Sequence, residues 1–393
     1  MQLLINEIFR QLSVSLQEIN LMKPWEIGSE FHWSEDWISS TDQSHWFPDY
    51  YQLFATGTAA LMELAKVLNP HKRNRLRIHL PSFYCMEVPL TLQTAYQILW
   101  YCDLPTIESP DFNSLNPLPG DIVLAVNLFG IRKGDIWQNW AAQHQEIIYV
   151  EDHSHDPFSP WARHSQADYA IAALHKTLPI PDGGMIWSPK KLPLPVAPKT
   201  DGVGAYKRLT AMLIKHLYLK GKSLPKQAYR QLELESLDIL WDEKHISASI
   251  FTTQILKYLD IGKFRQKRAA NIRHFLTQNI NNYADRWIPL FQNWEEEAVP
   301  FNNIILCKNQ EIRNQLRQYL IQENIFAAIH WTHLKNMTSS DPLAIDISNR
   351  ILTIPSDQRY SVLDMELIFD KIQKFFRDIL NYAPDRQMLN SLT

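Results

Sequence analysis

Short apolar runs alternate with stretches of helical periodicity through the middle of the chain. Helical spacing is clearest over residues 58–68, where Leu61, Leu64 and Leu68 fall on one face, and it returns over residues 131–146. Strands are predicted at the short apolar runs, which are residues 76–80, 96–101, 122–127, 147–151, 169–174 and 185–187. Because strands that alternate with helices form parallel sheets covered on both faces, this pattern predicts an α/β fold with a mostly parallel sheet.

The pattern changes after residue 240, and the chain divides into three predicted parts. Residues 1–50 combine an amphipathic helix over about the first 20 residues with a tryptophan-rich segment that wraps the surface or a partner subunit. Residues 51–240 form a large α/β domain. Residues 241–393 form a smaller α+β domain, whose last helix begins at the capping-box pattern Ser361-x-x-Asp364. The strands predicted in this smaller domain are residues 303–307, 327–329 and 351–354.

The composition is that of an ordinary globular protein. The chain has 393 residues, of which 45% are hydrophobic and 21% are charged, and its net charge is −3 at pH 7. This charge gives no general attraction to nucleic acid or to an anionic membrane, and the basic run at residues 71–77 is best explained as a solvated turn. Three cysteines without paired spacing indicate reduced thiols, and no apolar stretch approaches the length of a membrane span. We therefore expect a cytoplasmic protein without a membrane or nucleic-acid partner.

Three segments carry the candidate chemistry. Gly57, Thr58 and Ala59 open a predicted helix, Asp152 ends a buried strand, and Lys176 follows a later strand. Backbone N–H groups at a helix N-terminus bind phosphate, a buried carboxylate keeps a pyridine nitrogen protonated, and a lysine amine forms a Schiff base with an aldehyde. Together these groups meet the needs of pyridoxal 5′-phosphate (PLP), so Lys176 and Asp152 are the predicted catalytic residues.

Two further features surround these residues. The cofactor ring needs a flat side chain against one face, and the adjacent residues Phe83 and Tyr84 are both candidates. The pair Gly183 and Gly184 follows the lysine, and its lack of side chains is predicted to let the backbone approach a ligand closely. The sequence leaves open which aromatic residue covers the ring.

With these residues in place, the chain resembles the DegT/DnrJ/EryC1 (sugar aminotransferase) family of fold-type-I PLP-dependent enzymes. The matching segments are Thr56-Gly57-Thr58-Ala59-Ala60-Leu61, Pro81-Ser82-Phe83-Tyr84-Cys85-Met86-Glu87-Val88, Asn127-Leu128-Phe129-Gly130, Glu151-Asp152-His153-Ser154-His155, and Lys176 with Gly183-Gly184. Near the C-terminus the segments His330-Trp331, Ser348-Asn349-Arg350-Ile351-Leu352 and Ile354-Pro355-Ser356-Asp357-Gln358-Arg359-Tyr360 also fit. The resemblance implies a mostly parallel, seven-stranded sheet sandwiched by helices, with a smaller C-terminal α+β domain. It also implies a homodimer with active sites at the subunit interface.

The same resemblance implies roles for individual residues and a reaction. It assigns Asp152 to the pyridine nitrogen, Lys176 to the aldehyde and the pair Gly57-Thr58 to the phosphate, and it places His155 near the cofactor. The reaction implied is transfer of an amino group, with glutamate as the expected donor, to a keto sugar or a similar small carbonyl substrate.

Two phosphate ligands of the family are absent from this sequence. The family has a serine a few residues before the lysine, whereas residues 171–174 are Ile-Ala-Ala-Leu and carry no hydroxyl group. The family's asparagine, which reaches the phosphate from the neighbouring subunit, has no counterpart at residues 241–249. Other groups such as His175 are therefore candidates for binding the phosphate.

Other functions compete with the aminotransferase. The segment 152–156 holds two aspartates and two histidines at spacings that suit a metal ion, as a metallohydrolase would require. The missing phosphate ligands would also suit a non-catalytic protein built on this fold. A dehydratase is disfavoured, because in those relatives a histidine replaces the lysine that is present here as Lys176.

Overall fold

The computed structural model of the protein describes residues 24–71, 75–199, 201–242, 246–278, 285–332 and 341–379. The helix predicted for the first 20 residues lies outside these ranges. The strands are β1 Ile27–Gly28, β2 Tyr51–Phe54, β3 Leu76–Pro81, β4 Tyr96–Tyr101, β5 Ile122–Val126, β6 Ile148–Asp152, β7 Tyr169–Ala173, β8 Gly184–Trp187, β9 Trp287–Pro289, β10 Asn303–Cys307, β11 Ile325–Phe326 and β12 Ile351–Ile354. The helices are α1 Gly57–Leu68, α2 Glu87–Leu92, α3 Gly134–Ala142, α4 Pro160–Arg163, α5 Val203–Leu219, α6 Lys226–Asp242, α7 Ile250–Ile255, α8 Ile261–Leu276, α9 Gln310–Gln322, α10 Pro342–Arg350 and α11 Val362–Lys374.

Seven strands form one sheet in the order β2-β8-β7-β6-β5-β3-β4. Strand β8 runs antiparallel to both of its neighbours, and every other pairing in this sheet is parallel. The predicted α/β fold with a mostly parallel, seven-stranded sheet is thereby confirmed. Strand β2 has only four residues and was not predicted, because its short run stands directly before the helix α1.

The central strands are apolar throughout because the sheet is covered on both faces. Along β5, Leu124 and Val126 point into a core that includes α1, whereas Val123 and Ala125 point into a second core with Trp137 of α3. Successive residues of a strand face opposite sides of its sheet, so a strand that is buried on both sides needs an unbroken apolar run. This arrangement leaves the ends of the strands as the places where polar side chains can gather.

The C-terminal region has its own antiparallel sheet, in the order β12-β10-β9. Leu316 of α9 and Ile368 of α11 belong to the hydrophobic core that covers it. The capping box predicted at Ser361 is confirmed, because its side chain accepts the Asp364 N–H while the Asp364 side chain accepts the Ser361 N–H. The strand predicted at residues 327–329 is wrong in its bounds. The strand found there is β11, Ile325–Phe326, which ends before residue 327 and pairs with β1.

Candidate active site at the ends of the central strands

The predicted chemical residues meet at one edge of the large sheet. Strand β6 ends at Asp152, β7 leads into a short turn that contains Lys176, and α1 begins at Gly57. Because the carboxyl ends of parallel strands share an edge, residues far apart in sequence are brought together there. Gly57, Thr58, Asp152 and Lys176 line one cavity of about 170 Å³.

Asp152 is buried and firmly held. Its Oδ2 accepts a hydrogen bond from the Tyr84 hydroxyl at 2.6 Å, and its Oδ1 accepts the Ser154 N–H at 2.8 Å. Burial, and then the neighbouring Asp152 charge, raise the pKa of Tyr84 well above its usual value, so the tyrosine stays protonated and donates. Each carboxylate oxygen keeps a second lone pair, so Asp152 can accept one more donor from the cavity.

Lys176 is half-buried, and the backbone beside it is tied to distant parts of the chain. The Thr177 carbonyl accepts hydrogen bonds from Arg268 Nη2 and from Gln358 Nε2, both at 2.9 Å. The Lys176 Nζ lies 5.8 Å from the centre of the Trp331 ring. These contacts fix the main chain after the lysine while its amine stays on the cavity wall.

The start of α1 provides backbone donors, although fewer than predicted. Thr56 caps the helix, and its side-chain oxygen accepts the Ala59 N–H at 3.1 Å. The first N–H groups of a helix lack partners within the helix, so Gly57 and Thr58 are left to face a ligand. The prediction that the Ala59 N–H binds phosphate conflicts with this geometry, because Thr56 already uses that donor.

The two candidate aromatic residues lie in different places. Tyr84 lines the smaller cavity, whereas Phe83 is in the hydrophobic core behind it, with ring centres 5.7 Å from Trp331 and 6.1 Å from Phe129. Neither cavity that contains Lys176 has Phe83 on its wall. Of the two, the structure therefore brings only Tyr84 to the predicted cofactor site.

His155 is buried and His175 is half-buried, and both are neutral. His155 stacks against Trp331 with ring centres 5.3 Å apart, and its Nδ1 accepts the Phe129 N–H at 2.9 Å. Burial, and then the charge of Lys176, lower the pKa of His155 well below its usual value. Burial, followed by the charges of Arg208 and Lys176, lowers the pKa of His175 to about 3. His175 lines the smaller cavity, and its buried Nδ1 has no hydrogen-bond partner among the described residues.

The glycine pair after the lysine does not face either cavity. A Cβ on Gly184 would lie 2.1 Å from the carbonyl carbon and oxygen of Thr56 and 2.4 Å from the Gly57 nitrogen. A Cβ on Gly183, whose φ is +132°, would lie 3.0 Å from the Ile180 side chain. Gly184 therefore lets β8 approach the start of α1. Neither glycine lines a cavity that contains Lys176, which conflicts with the prediction of close approach to a ligand.

A larger cavity of about 600 Å³ adjoins the first, and residues from three parts of the chain line it. Its polar lining includes Glu30, His155, Arg208, Arg268, Asp357 and Arg359. Arg359 uses its whole guanidinium within the chain, because it pairs with both oxygens of Asp357 and donates to the carbonyls of Gly28, Ser29 and Glu30. Arg208 and Arg268 each keep donors that no described residue accepts.

The sequence did not single out Arg208 for this site. Arg208 lies on α5, three residues after the buried Ala205 and three before the buried Ala211, so it shares their face of the helix. An arginine among apolar residues on one helical face is the available signal, because such a charge is rarely buried without a partner.

The segment proposed as a metal cluster uses its side chains separately. His153 Nε2 and Glu151 Oε2 are 2.9 Å apart, and Asp156 pairs with Arg265 and accepts the Val299 N–H at 2.8 Å. No group of three or more metal-binding side chains occurs in the described part of the chain. Within the same residues, no helix has the length and apolar character of a membrane span.

No protein-family model and no curated protein matches the chain. Solved structures do match. Spr1654 of Streptococcus pneumoniae, described as a sugar aminotransferase and solved in a PLP form, is 13% identical with a TM-score of 0.60, covering 89% of this chain and 98% of its own. Helicobacter pylori PseC, an aminotransferase of pseudoaminic acid biosynthesis, is 12% identical with a TM-score of 0.59, covering 90% of this chain and 99% of its own.

A third similar structure has a different activity. The GDP-4-keto-6-deoxy-D-mannose-3-dehydratase of E. coli, solved with hydrated PLP, is 13% identical with a TM-score of 0.56, covering 88% of this chain and 100% of its own. At such identities the likeness establishes the fold, which is that of the fold-type-I PLP-dependent enzymes. The resemblance found in the sequence is thus confirmed for the architecture, and the reaction has to be argued from the residues of the site.

Proposed function

We propose that this protein is a PLP-dependent aminotransferase. One observation carries the proposal: the amine of Lys176 and the carboxylate of Asp152 line the same small cavity, which the N-terminus of α1 also lines. An amine, a carboxylate and a helix N-terminus are the three groups that PLP requires of a protein. His175 adds support, since the unpartnered Nδ1 on this cavity wall is a polar atom that a polar ligand would satisfy.

The residues of the site would divide the work between them. When bound, PLP supplies an aldehyde carbon that an amine can attack and a ring that accepts electrons. Lys176 would hold the cofactor through its amine and, once displaced, would carry a proton to or from the substrate carbon. Asp152 would keep the proton on the ring nitrogen, and Tyr84 holds this carboxylate in place through its hydroxyl. Tyr84 is also the aromatic residue that could cover the ring.

The proposed acceptor is a keto sugar or a similar small carbonyl compound, with glutamate as the expected donor. The larger cavity supports this choice, because Lys176 lies on its wall and its polar lining suits a hydroxylated substrate. One of the similar structures is described as a sugar aminotransferase, and another as an aminotransferase of pseudoaminic acid biosynthesis. A dehydratase shares the fold, but Lys176 favours transamination. A lysine amine can release the cofactor to an incoming amine and hold the cofactor again afterwards.

The same site supports the expected homodimer. Leu234, Leu237 and Trp241 of α6 are 50%, 40% and 40% exposed. Leu237 and Trp241 also lie on the wall of the smaller cavity. Exposed apolar residues that form a site wall are typical of an interface that a second copy covers. Light scattering of the purified protein would test this part of the proposal.

An absorbance spectrum tests the cofactor assignment. The purified protein is incubated with PLP, reduced with borohydride and digested, and the modified peptide is identified. We expect a visible band, which borohydride removes, and a PLP adduct on Lys176. The variant Lys176→Ala should show neither the adduct nor any turnover with glutamate and keto sugars. A fully active Lys176→Ala would refute the assignment, and a wild-type protein without a band at saturating PLP would favour the non-catalytic alternative.

A further inference from the structure

We propose that Arg208 binds the phosphate of the cofactor and takes the place of the serine and asparagine that this chain lacks. The inference rests on the proposed function and goes beyond it, because it assigns a ligand that neither the sequence pattern nor the fold predicts. Three observations carry it: the position of Arg208, its unused donors and the charges of its neighbours.

The position of Arg208 follows from the packing of α5. Ala205 packs in one hydrophobic cluster with Ala55, the residue next to the helix cap Thr56. Arg208 lies one helical turn further along the same face, so its side chain extends along the wall that begins at α1. It is 7% exposed, and it lines both cavities, where the smaller one also contains Gly57.

The guanidinium of Arg208 is only partly used inside the chain. Its Nη2 donates to the Glu30 carboxylate, and its Nε and Nη1 donate to no described residue. A guanidinium carries five N–H donors in a planar fork that matches the oxygens of a phosphate. Since a buried charge with one partner is costly, the unused donors indicate a second anion on the cavity side.

No other charged group that the structure describes on the wall of the smaller cavity is available to neutralise the phosphate, so this role falls to Arg208. Lys176 and Arg208 are the cationic side chains among the described residues that line the smaller cavity, and Lys176 is needed for the aldehyde. His175 is neutral at pH 7, so it can donate a hydrogen bond but cannot neutralise a phosphate. Asp182 lies on the same wall, but its carboxylate already accepts bonds from Ser249 and Thr252.

The decisive experiment compares PLP with pyridoxal, which lacks the phosphate. Dissociation constants for both are measured from the visible band in wild-type protein and in Arg208→Gln. We expect Arg208→Gln to bind PLP roughly 10- to 150-fold more weakly, the range for a lost charge-assisted hydrogen bond, and to bind pyridoxal within about twofold of wild type. Inorganic phosphate should compete with PLP in wild type and much less in the variant.

Glu30→Gln is the matched control, because it changes the partner and keeps the arginine. It removes the carboxylate that shares the guanidinium, so PLP should bind as tightly as in wild type or more tightly, with pyridoxal unchanged. Arg208→Lys keeps the charge without the fork and should lose less affinity than Arg208→Gln. If Arg208→Gln fails to fold, Arg208→Lys takes its place in the test. An Arg208→Lys variant with unchanged phosphate-dependent affinity and unchanged competition by phosphate would contradict the role of the planar guanidinium.

The outcomes separate this inference from the proposed function. An unchanged ratio of PLP to pyridoxal affinity in Arg208→Gln overturns the role of Arg208 while the cofactor assignment stands. Equal weakening of both ligands also overturns it, since Arg208 would then only support the shape of the site. A wild-type protein that forms no band with either ligand overturns both proposals.

Discussion

The contact between Gly184 and the start of α1 gives the sharpest test of how the site is built. Gly184 opens β8, pairs with Phe54 on one side and with Ala173 on the other, and lies against the main chain of Thr56 and Gly57. A Cβ at this position would be 2.1 Å from main-chain atoms, whereas an ordinary contact begins at 3.4 Å. Because the obstructing atoms are backbone, no side-chain rotation can relieve the overlap in Gly184→Ala.

The magnitude of the effect follows from this geometry. Overpacking that side chains can absorb costs about 1–3 kcal/mol, so a clash between two main chains should cost about 3 kcal/mol or more. A typical folded protein is stable by only about 5–15 kcal/mol, so the loss is a large share of the total. Relief of the clash would also move the first N–H groups of α1, and we therefore expect PLP to bind more weakly than in wild type.

Gly262→Ala is the control for this experiment. Gly262 lies in the first turn of α8, and a Cβ there would have only Trp46 nearby, at 3.8 Å. A glycine that is replaced by alanine in a helix without a clash gains about 0.5–1 kcal/mol. Thermal unfolding followed by circular dichroism should show a lower melting temperature for Gly184→Ala and an equal or higher one for Gly262→Ala. A Gly184→Ala variant that melts and binds PLP like wild type would refute the reasoning.

The remaining predictions concern charge and capping. Asp152→Asn should lower turnover roughly 10- to 150-fold, the value of a charged hydrogen bond, while leaving the melting temperature near that of wild type; unchanged turnover would count against the electron-sink role. Burial alone would raise the pKa of Glu26, but Lys215 and Lys226, at 2.8 and 2.7 Å, outweigh it and lower the pKa to about 2. Its stabilisation should therefore be complete above pH 4.5 and disappear as the pH falls toward 2, so the melting temperature of wild type should drop more over that range than that of Glu26→Gln. Ser361→Ala should cost about 1 kcal/mol through loss of the cap, visible as a lower melting temperature without a change in PLP affinity.

The sequence predicted those parts of the site that depend on local pattern. Asp152 ends an unbroken apolar run, and a strand of this kind lies inside a sheet whose edge collects functional groups. Gly57 and Thr58 precede a clear helical periodicity, which places their N–H groups at its start. Lys176 follows another apolar strand, so its position at the same edge also follows from pattern.

The parts that the sequence did not predict depend on contacts between distant segments. Arg208 and Glu30 are 178 residues apart, and nothing in either neighbourhood indicates the other. The choice between Phe83 and Tyr84 is of the same kind, since both follow one strand and only the folded structure shows that Tyr84, and not Phe83, lines the smaller cavity. The use of the Ala59 N–H by Thr56 is different, because this contact is local and the sequence left it open: a glycine-threonine turn suits a cap and a phosphate site equally well.

Residues 26–30 do not merely wrap the surface, because they bond to two distant parts of the chain. The Tyr360 hydroxyl donates a hydrogen bond to the carbonyl of Gly28, a residue that pairs with β11. Arg359 donates hydrogen bonds to three successive carbonyls of the segment. Glu30 forms an ion pair with Arg208 of α5, and Glu26 forms one with Lys215 of the same helix. One short segment thus joins α5, which borders the proposed cofactor site, to β11 and to Arg359 and Tyr360 in the C-terminal region. Three residues of this segment, Gly28, Ser29 and Glu30, line the larger cavity that Lys176 also lines, so the segment forms part of the wall of the site.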